Sequence, residues 1–305
     1  MTTADRASVD AKSLPPPGIR WTFHGTALVE NYHTAVEWLG RFIGLVPLES
    51  SDAGPPINRF GGCCTFGDTM LELMQSNDPN SSIGRWLAKS GPSFYNLAIQ
   101  VADLVAAAEW LAKHEVGIVV PPENHFTFTR PSTSCGLHLE WADTHNPEWD
   151  PHFGHQPQPG PPPLIEAPRV AWWGALVEDP KASVERLAAI FGVRPSFVRL
   201  DAPDDQAVAS LPLPDGFFNL YRLPADAETE RRLWGSSAGR PRLHAAALRV
   251  RDLPGAARVF AREGVGVLRG DAASGEIVTS PKDTVGLTLA WTDRDPPDDP
   301  RGPLA

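Results

Sequence analysis

The apolar positions of this chain fall into one compound pattern that recurs four times. Each unit opens with an apolar strand. It passes into a segment with apolar residues at helical spacing and closes with a strand that alternates apolar and other residues. The opening strands are 23–29, 95–101, 171–177 and 244–250. Helices are expected near Tyr32–Ile43, Leu104–His114, Pro180–Phe191 and Leu253–Glu263. Asn31, Asp103, Asp179 and Asp252 stand as their N-caps, and Pro180 suits a first turn. Gly44, Gly117, Gly192 and Gly264 mark the stops. Counting back seven from the four cap residues gives His24, Asn96, Trp172 and Ala245, spaced 72, 76 and 73 apart. With about three further strands per unit, the pattern predicts an α+β fold of four tandem βαβββ modules.

The closing strands, 70–73, 138–141, 218–221 and 289–291, carry Glu72, Glu140, Asn219 and Ala290 at matching positions. Strand side chains alternate faces, so Leu71 and Leu73 point to one side while Glu72 joins Met70 and Met74 on the other. Leu139 is likewise opposed to His138 and Glu140. A carboxylate among apolar neighbours in mid-strand needs a partner or solvent. One such residue is ordinarily a solvated sheet-face group. Two at matching repeat positions, with His24, point to a site. The first half therefore offers His24, Glu72, Asn96 and Glu140. The second offers Trp172, Asn219, Ala245 and Ala290, which have no metal-ligand chemistry.

Ten tryptophans and 42% hydrophobic residues indicate real cores. A proline-rich stretch, residues 144–168, reads as a semi-rigid linker between domains at 19–143 and 169–293. His145, His152 and His155 within it read as solvated. Residues 1–18 and 294–305 read as disordered tails. No run of 18 apolar residues exists and the N-terminus lacks a secretory pattern, so neither a membrane span nor export is expected. The net charge of −10 disfavours nucleic acid and anionic membranes as partners. Cys63, Cys64 and Cys135 are too few for a disulfide frame, which implies a reduced, cytoplasmic protein; a monomer or homodimer is expected.

A repeated βαβββ unit with His on its first strand and Glu on its last resembles the vicinal oxygen chelate superfamily. That group holds glyoxalase I, methylmalonyl-CoA epimerase, fosfomycin- and bleomycin-resistance proteins and extradiol dioxygenases. Residues 20–143 look most like the epimerases. Leu71-Glu72-Leu73-Met74 is followed by Ser81 through Lys89, similar to their S-x-I-x-x-(F/W)-L-x-K helix, and then by Leu97 through Val101. Arg130-Pro131 through Gly136-Leu137-His138-Leu139-Glu140 is similar to their ending, and Ser280-Pro281-Lys282 through Gly286-Leu287 repeats it. The second half is similar in architecture alone.

The resemblance implies two glyoxalase-like domains with curled mixed sheets. It implies a divalent ion (Zn, Co, Ni, Mn, Mg or Fe) held by His24, Glu72, Asn96 and Glu140, with His138 and Tyr95 as supporting neighbours and His138 a candidate further nitrogen. Asn96 departs from the family's His, and its amide oxygen suits harder ions. Pairing the first module with the second gives this cup. Pairing it with the fourth would require a one-residue slip at His244. The implied partner is a small-molecule substrate with adjacent oxygens. The implied reaction is that of an isomerase, epimerase or lyase, in which a metal-stabilised enolate forms next to a carbonyl and Glu140, or alternatively Glu72, carries the proton. Trp141 is expected to help desolvate Glu140 and raise its pKa. Coenzyme A thioesters follow from the resemblance alone, since no phosphate-cradling glycine loop is present. The alternative is a binding or resistance protein that shelters aromatic compounds against Trp86, Trp141, Trp172 and Trp173. A third reading is a ring-cleaving dioxygenase.

Overall fold

The computed structural model describes residues 14–55, 58–144 and 161–304. The first thirteen residues, most of the proline-rich stretch and its three histidines lie outside the described residues. The first half runs β1 (Ile19–Leu28), α1 (Tyr32–Ile43), β2 (Val46–Pro47), β3 (Ser51–Ala53), β4 (Arg59–Phe66), β5 (Thr69–Ser76), α2 (Ser82–Ser90), β6 (Ser93–Val101), α3 (Leu104–Lys113), β7 (Phe126–Phe128) and β8 (His138–Ala142). The second half runs β9 (Arg169–Val177), α4 (Pro180–Phe191), β10 (Phe197–Val198), β11 (Ala209–Leu213), β12 (Gly216–Arg222), α5 (Ala227–Trp234), β13 (Arg242–Arg249), α6 (Leu253–Glu263), β14 (Val267–Asp271), β15 (Glu276–Thr279) and β16 (Thr288–Thr292).

The helix ends follow from their caps. Asn31, Asp103, Asp179 and Asp252 each accept a hydrogen bond from the backbone N–H three residues on, at 2.8–3.0 Å. Gly44, Gly192 and Gly264 close α1, α4 and α6 in the left-handed conformation. Helix α3 ends otherwise. His114 caps it, and Glu115, not a glycine, takes the left-handed turn at φ 56°.

Each half forms one eight-stranded mixed sheet. The orders are β2-β4-β5-β1-β6-β8-β7, with β3 against β4, and β10-β11-β12-β9-β13-β16-β15-β14. Modules one and two join through antiparallel β1–β6, and modules three and four through β9–β13. The registers carry the repeat into three dimensions. Thr26 faces Glu72, Ala98 faces Glu140, Gly174 faces Asn219 and Ala247 faces Ala290. In every module the closing residue thus lies beside the position two after the opening one.

One face of each sheet enters a core shared by both halves. It includes Leu71, Leu73, Leu139 and Trp141 from the first sheet and Trp173, Phe218, Leu220 and Trp291 from the second. Burying each such side chain contributes about 1.5–3 kcal/mol. The halves meet closely where Gly25 faces Trp173. A Cβ at Gly25 would lie 2.3 Å from the indole, so only glycine lets β1 approach. Phe94 meets the same indole edge-on at 5.8 Å. No described helix is long and apolar enough to cross a membrane.

The described parts of both expected tails are anchored. Gly18 accepts from Ala102 N–H at 2.9 Å, and Pro16 lies against Gly192. At the other end Asp295 accepts from Arg169 at 2.6 Å and Arg249 at 2.8 Å, while Arg301 bonds Asp299 and the carbonyl of Val170. Charge pairing holds the C-terminal segment. A reading based on apolar periodicity cannot see that.

Candidate functional site

The other face of the first sheet is a half-buried cup, and strand alternation delivers its chemistry. Met70 and Met74 line it, and Glu72 stands between them, opposite the leucines of the core. His138 and Glu140 share this side of β8, while Leu139 and Trp141 enter the core. Two β-bulges reshape the floor. The register of β1 against β6 shifts between Thr22 and His24, leaving Phe23 as an extra residue beside Met70, Ala98 and Ala142. A second shift, between Thr26 and Ala27, makes Tyr95 the extra residue of β6 and turns it toward Met74 and Trp86.

The expected site residues form two hydrogen-bonded arms. In one, Thr26 Oγ1 donates to Glu72 Oε2 at 3.0 Å and lies 3.3 Å from His24 Nδ1. Because the hydroxyl proton is committed to Glu72, the imidazole must donate from Nδ1, which leaves the lone pair of a neutral ring on Nε2. Arg59 closes this arm, its guanidinium 3.5 Å from Glu72 Oε1. In the other arm, Asn96 Nδ2 donates to Glu140 Oε2 at 3.0 Å, while the buried Asn96 Oδ1 has no hydrogen-bond partner.

Glu140 is the electrostatic outlier. Burial, then the nearby negative charge of Glu72, pushes its carboxyl up to about 8, against smaller opposing effects of Asn96 and Arg59. The expected contribution of Trp141 is corrected. That indole lies on the opposite face, against Phe191, and the cup itself desolvates the acid. Cys63, paired in register with Glu72, has its thiol raised well above the ordinary range by burial and then by Glu72.

His138 stacks on Tyr95 at 4.7 Å and meets Trp86 edge-on at 5.4 Å. Burial, then Arg240, pushes its imidazole down to about 4, so it is neutral at pH 7. Of the four tryptophans suited to an aromatic site, Trp86 alone belongs to this cup. Trp141 and Trp173 are in the shared core and Trp172 is in the second sheet.

A resident divalent ion requires several donors converging on one point. Among the described residues, no group of three His, Cys, Asp or Glu side chains is arranged to hold a metal ion. Thr26 engages His24 through Nδ1 and Glu72 through Oε2, Arg59 places a positive charge at Glu72 Oε1, and Asn96 turns its amide hydrogens, not its oxygen, to Glu140. As they stand, these side chains do not fit the expected ion.

Sequence reasoning missed Thr26, Arg59 and Cys63. The period-two signal was present: residues 59, 61 and 63 share the face of β4 that is paired with the Glu72 side of β5. A cleft of about 480 Å³ also lies beside the cup, between the halves, lined by Val29, Ser90, Pro92, Ser236 and Lys282 among others. It does not include the carboxylates.

Residues 23–129 match the family model described as the glyoxalase/bleomycin resistance protein/dioxygenase superfamily. The search of curated proteins gave no match. Among solved structures, a triple variant of 4-hydroxymandelate synthase from Streptomyces coelicolor aligns over 91% of this chain and 92% of its own, at TM-score 0.65 and 16% identity. That likeness shows the fold over both halves. Methylmalonyl-CoA epimerase from Mycobacterium tuberculosis aligns over 45% of this chain and 97% of its own, at TM-score 0.40 and 20% identity. The Streptomyces coelicolor epimerase aligns over 41% and 96%, at TM-score 0.37 and 18% identity.

Proposed function

From the match of residues 23–129 to the glyoxalase/bleomycin resistance protein/dioxygenase superfamily model, we propose that the first cup is the active site of an isomerase, epimerase or lyase. It takes a small molecule and moves a proton on a carbon next to a carbonyl. The observation that carries this reading is the carboxyl pair. Glu140, with its proton affinity raised to about 8, gives and takes protons near neutral pH, where general acid–base catalysis is most effective. Glu72 sits beside it, steadied by Thr26 and Arg59. Arg59 supplies the fixed positive charge that an oxyanion forming on the substrate requires. Asn96 orients Glu140, and His24, buried behind Thr26, positions the Glu72 arm.

No step of this scheme passes through a metal. Adding Mn²⁺, Ni²⁺ or Zn²⁺ in slight excess is therefore expected to leave the melting temperature of the chelator-treated protein within about 2 °C, where occupancy of a tight site contributes several kcal/mol. A larger rise that disappears in Glu140→Gln would restore the metal cup and overturn the metal-free scheme.

The activity is tested by deuterium uptake from heavy water into a panel of carbonyl compounds, read by NMR. Exchange that is lost in Glu140→Gln supports the proposal. Tight binding of an aromatic compound without exchange of any compound would instead support the sheltering role. The specific observation in favour of that second reading is the Trp86, Tyr95 and His138 wall.

A further inference from the structure

The second half reaches into the first cup. The loop after α5, residues 235–241, crosses the domain boundary and lays the Arg240 guanidinium over the Trp86 ring, 3.9 Å from its centroid. Arg240 also donates to Ser90 Oγ at 2.6 Å, and Ser90 lines the cleft between the halves. The same guanidinium acts on Tyr95 and His138, the two aromatic groups of the cup wall.

A guanidinium partly withdrawn from water gains from an acceptor on each buried N–H and from a carboxylate partner. Among the described residues Arg240 has none, and its buried Nε has no hydrogen-bond acceptor. The carboxylate that ties down this loop is committed elsewhere. The Glu230 carboxylate is buried and ion-paired with Arg242. It also accepts from Ser237 Oγ at 2.9 Å and from the backbone N–H groups of Ala238 and Gly239 at 3.1 Å each. Glu230 thus holds the loop rigidly and leaves Arg240 uncompensated. The fork is fixed by an indole, oriented by a serine and short of one anion.

We propose that Arg240 is a specificity-determining residue which binds an oxyanion group, carboxylate or phosphate, of the small molecule that enters the first cup. This deepens the proton-transfer reading and rests on it for the identity of the cup. The substrate class becomes a carbonyl compound with an anionic end. The second half then contributes the recognition arm of the site as well as support. A guanidinium matches either oxyanion with two parallel N–H donors.

The test is calorimetric titration of the full chain with sodium malonate, with inorganic phosphate and with neutral dimethyl malonate. One or both anions should bind, and the diester should not. Preference between the anions identifies carboxylate or phosphate as the group recognised. Arg240→Met should weaken anion binding by about 10- to 100-fold, the loss of one charge-assisted pair. Arg240→Lys, which keeps the charge and is the milder change should the Met variant fold poorly, should fall between. Failure of both anions to bind, or unchanged binding in Arg240→Met, overturns the assignment. Since binding is read without turnover, loss of the proton-transfer reading would leave this result standing, and the reverse also holds.

Discussion

The two cups of this molecule share a backbone and differ in what they enclose. The bulges recur at equivalent places. Phe23 and Tyr95 are extra residues where β1 meets β6, and Ala171 and His244 are their counterparts where β9 meets β13. In the first cup the repeat positions hold His24, Glu72, Asn96 and Glu140. In the second they hold Trp172, Asn219, Ala245 and Ala290, and the hollow is packed with Trp172, Tyr221 and Trp234. His244 meets Trp234 at 4.3 Å and Tyr221 at 5.3 Å, and burial, with Arg242 and Arg269 nearby, pushes its imidazole well below the ordinary range. The second cup therefore keeps a titratable ring neutral among aromatic side chains. In the first, the charge of Glu72 adds to burial in raising the proton affinity of Glu140. One scaffold holds acidic groups in one cup and aromatic packing in the other, according to what its inward positions carry.

The largest expected effect separates the cups by activity. Glu140→Gln should reduce proton exchange by about 10²- to 10⁴-fold, the usual contribution of a positioned acid–base group, while the fold persists. Its counterpart in the second cup is Ala290, which offers no such group. Exchange that survives in Glu140→Gln would move the chemistry out of the first cup.

The next effect separates them by stability. Trp172 stands where the first cup has His24. Trp172→Ala should destabilise the protein by about 3–5 kcal/mol, because a buried indole is removed from a filled hollow. Denaturant unfolding measures this. Proton exchange by the folded variant should stay near that of the parent. Lost exchange with unchanged stability would give the second cup a direct part in the reaction.

Much of this comparison was legible in the chain. The fourfold period located the opening and closing strands, the caps located α1, α4 and α6, and strand alternation put Glu72 and Glu140 on one face. Other features were not legible, for physical reasons. The ends of α3 and of the C-terminal segment depend on a strained Glu115 and on ion pairs, which leave no apolar trace. Helix α5 carries the charge-rich run Glu228 through Arg232, which masks its stripe, although Asp226 and Gly235 bracket it as caps. The bulges mattered most. A strict period-two reading gives His244 the wrong face, and the inserted residue turns it inward without the slip that sequence logic required. Arg240 was hidden because its partners, Trp86 and Ser90, are distant in the chain.

The smallest effect is a pH dependence that belongs to the first cup alone. Glu140 in the native protein holds its proton up to about pH 8, whereas the ordinary value is 4.5. Between these limits the native state binds more protons than the unfolded chain, so this group's contribution falls as pH rises. It is complete below about 4.5 and levels off above about 8. An amide at position 140 cannot ionise. Glu140→Gln should therefore melt close to the parent at pH 5 and gain on it steadily toward pH 9. The advantage there should be about 2 °C or more, equivalent to roughly 1 kcal/mol after allowance for partial solvent screening. A constant difference across that range would show that Glu140 is not desolvated as the structure describes. Glu72→Gln sharpens the point. It removes the like charge that adds to burial, so the pH window should narrow from its upper end. If burial alone set the proton affinity of Glu140, the window of Glu72→Gln would match the parent's, and the two acids would titrate as strangers.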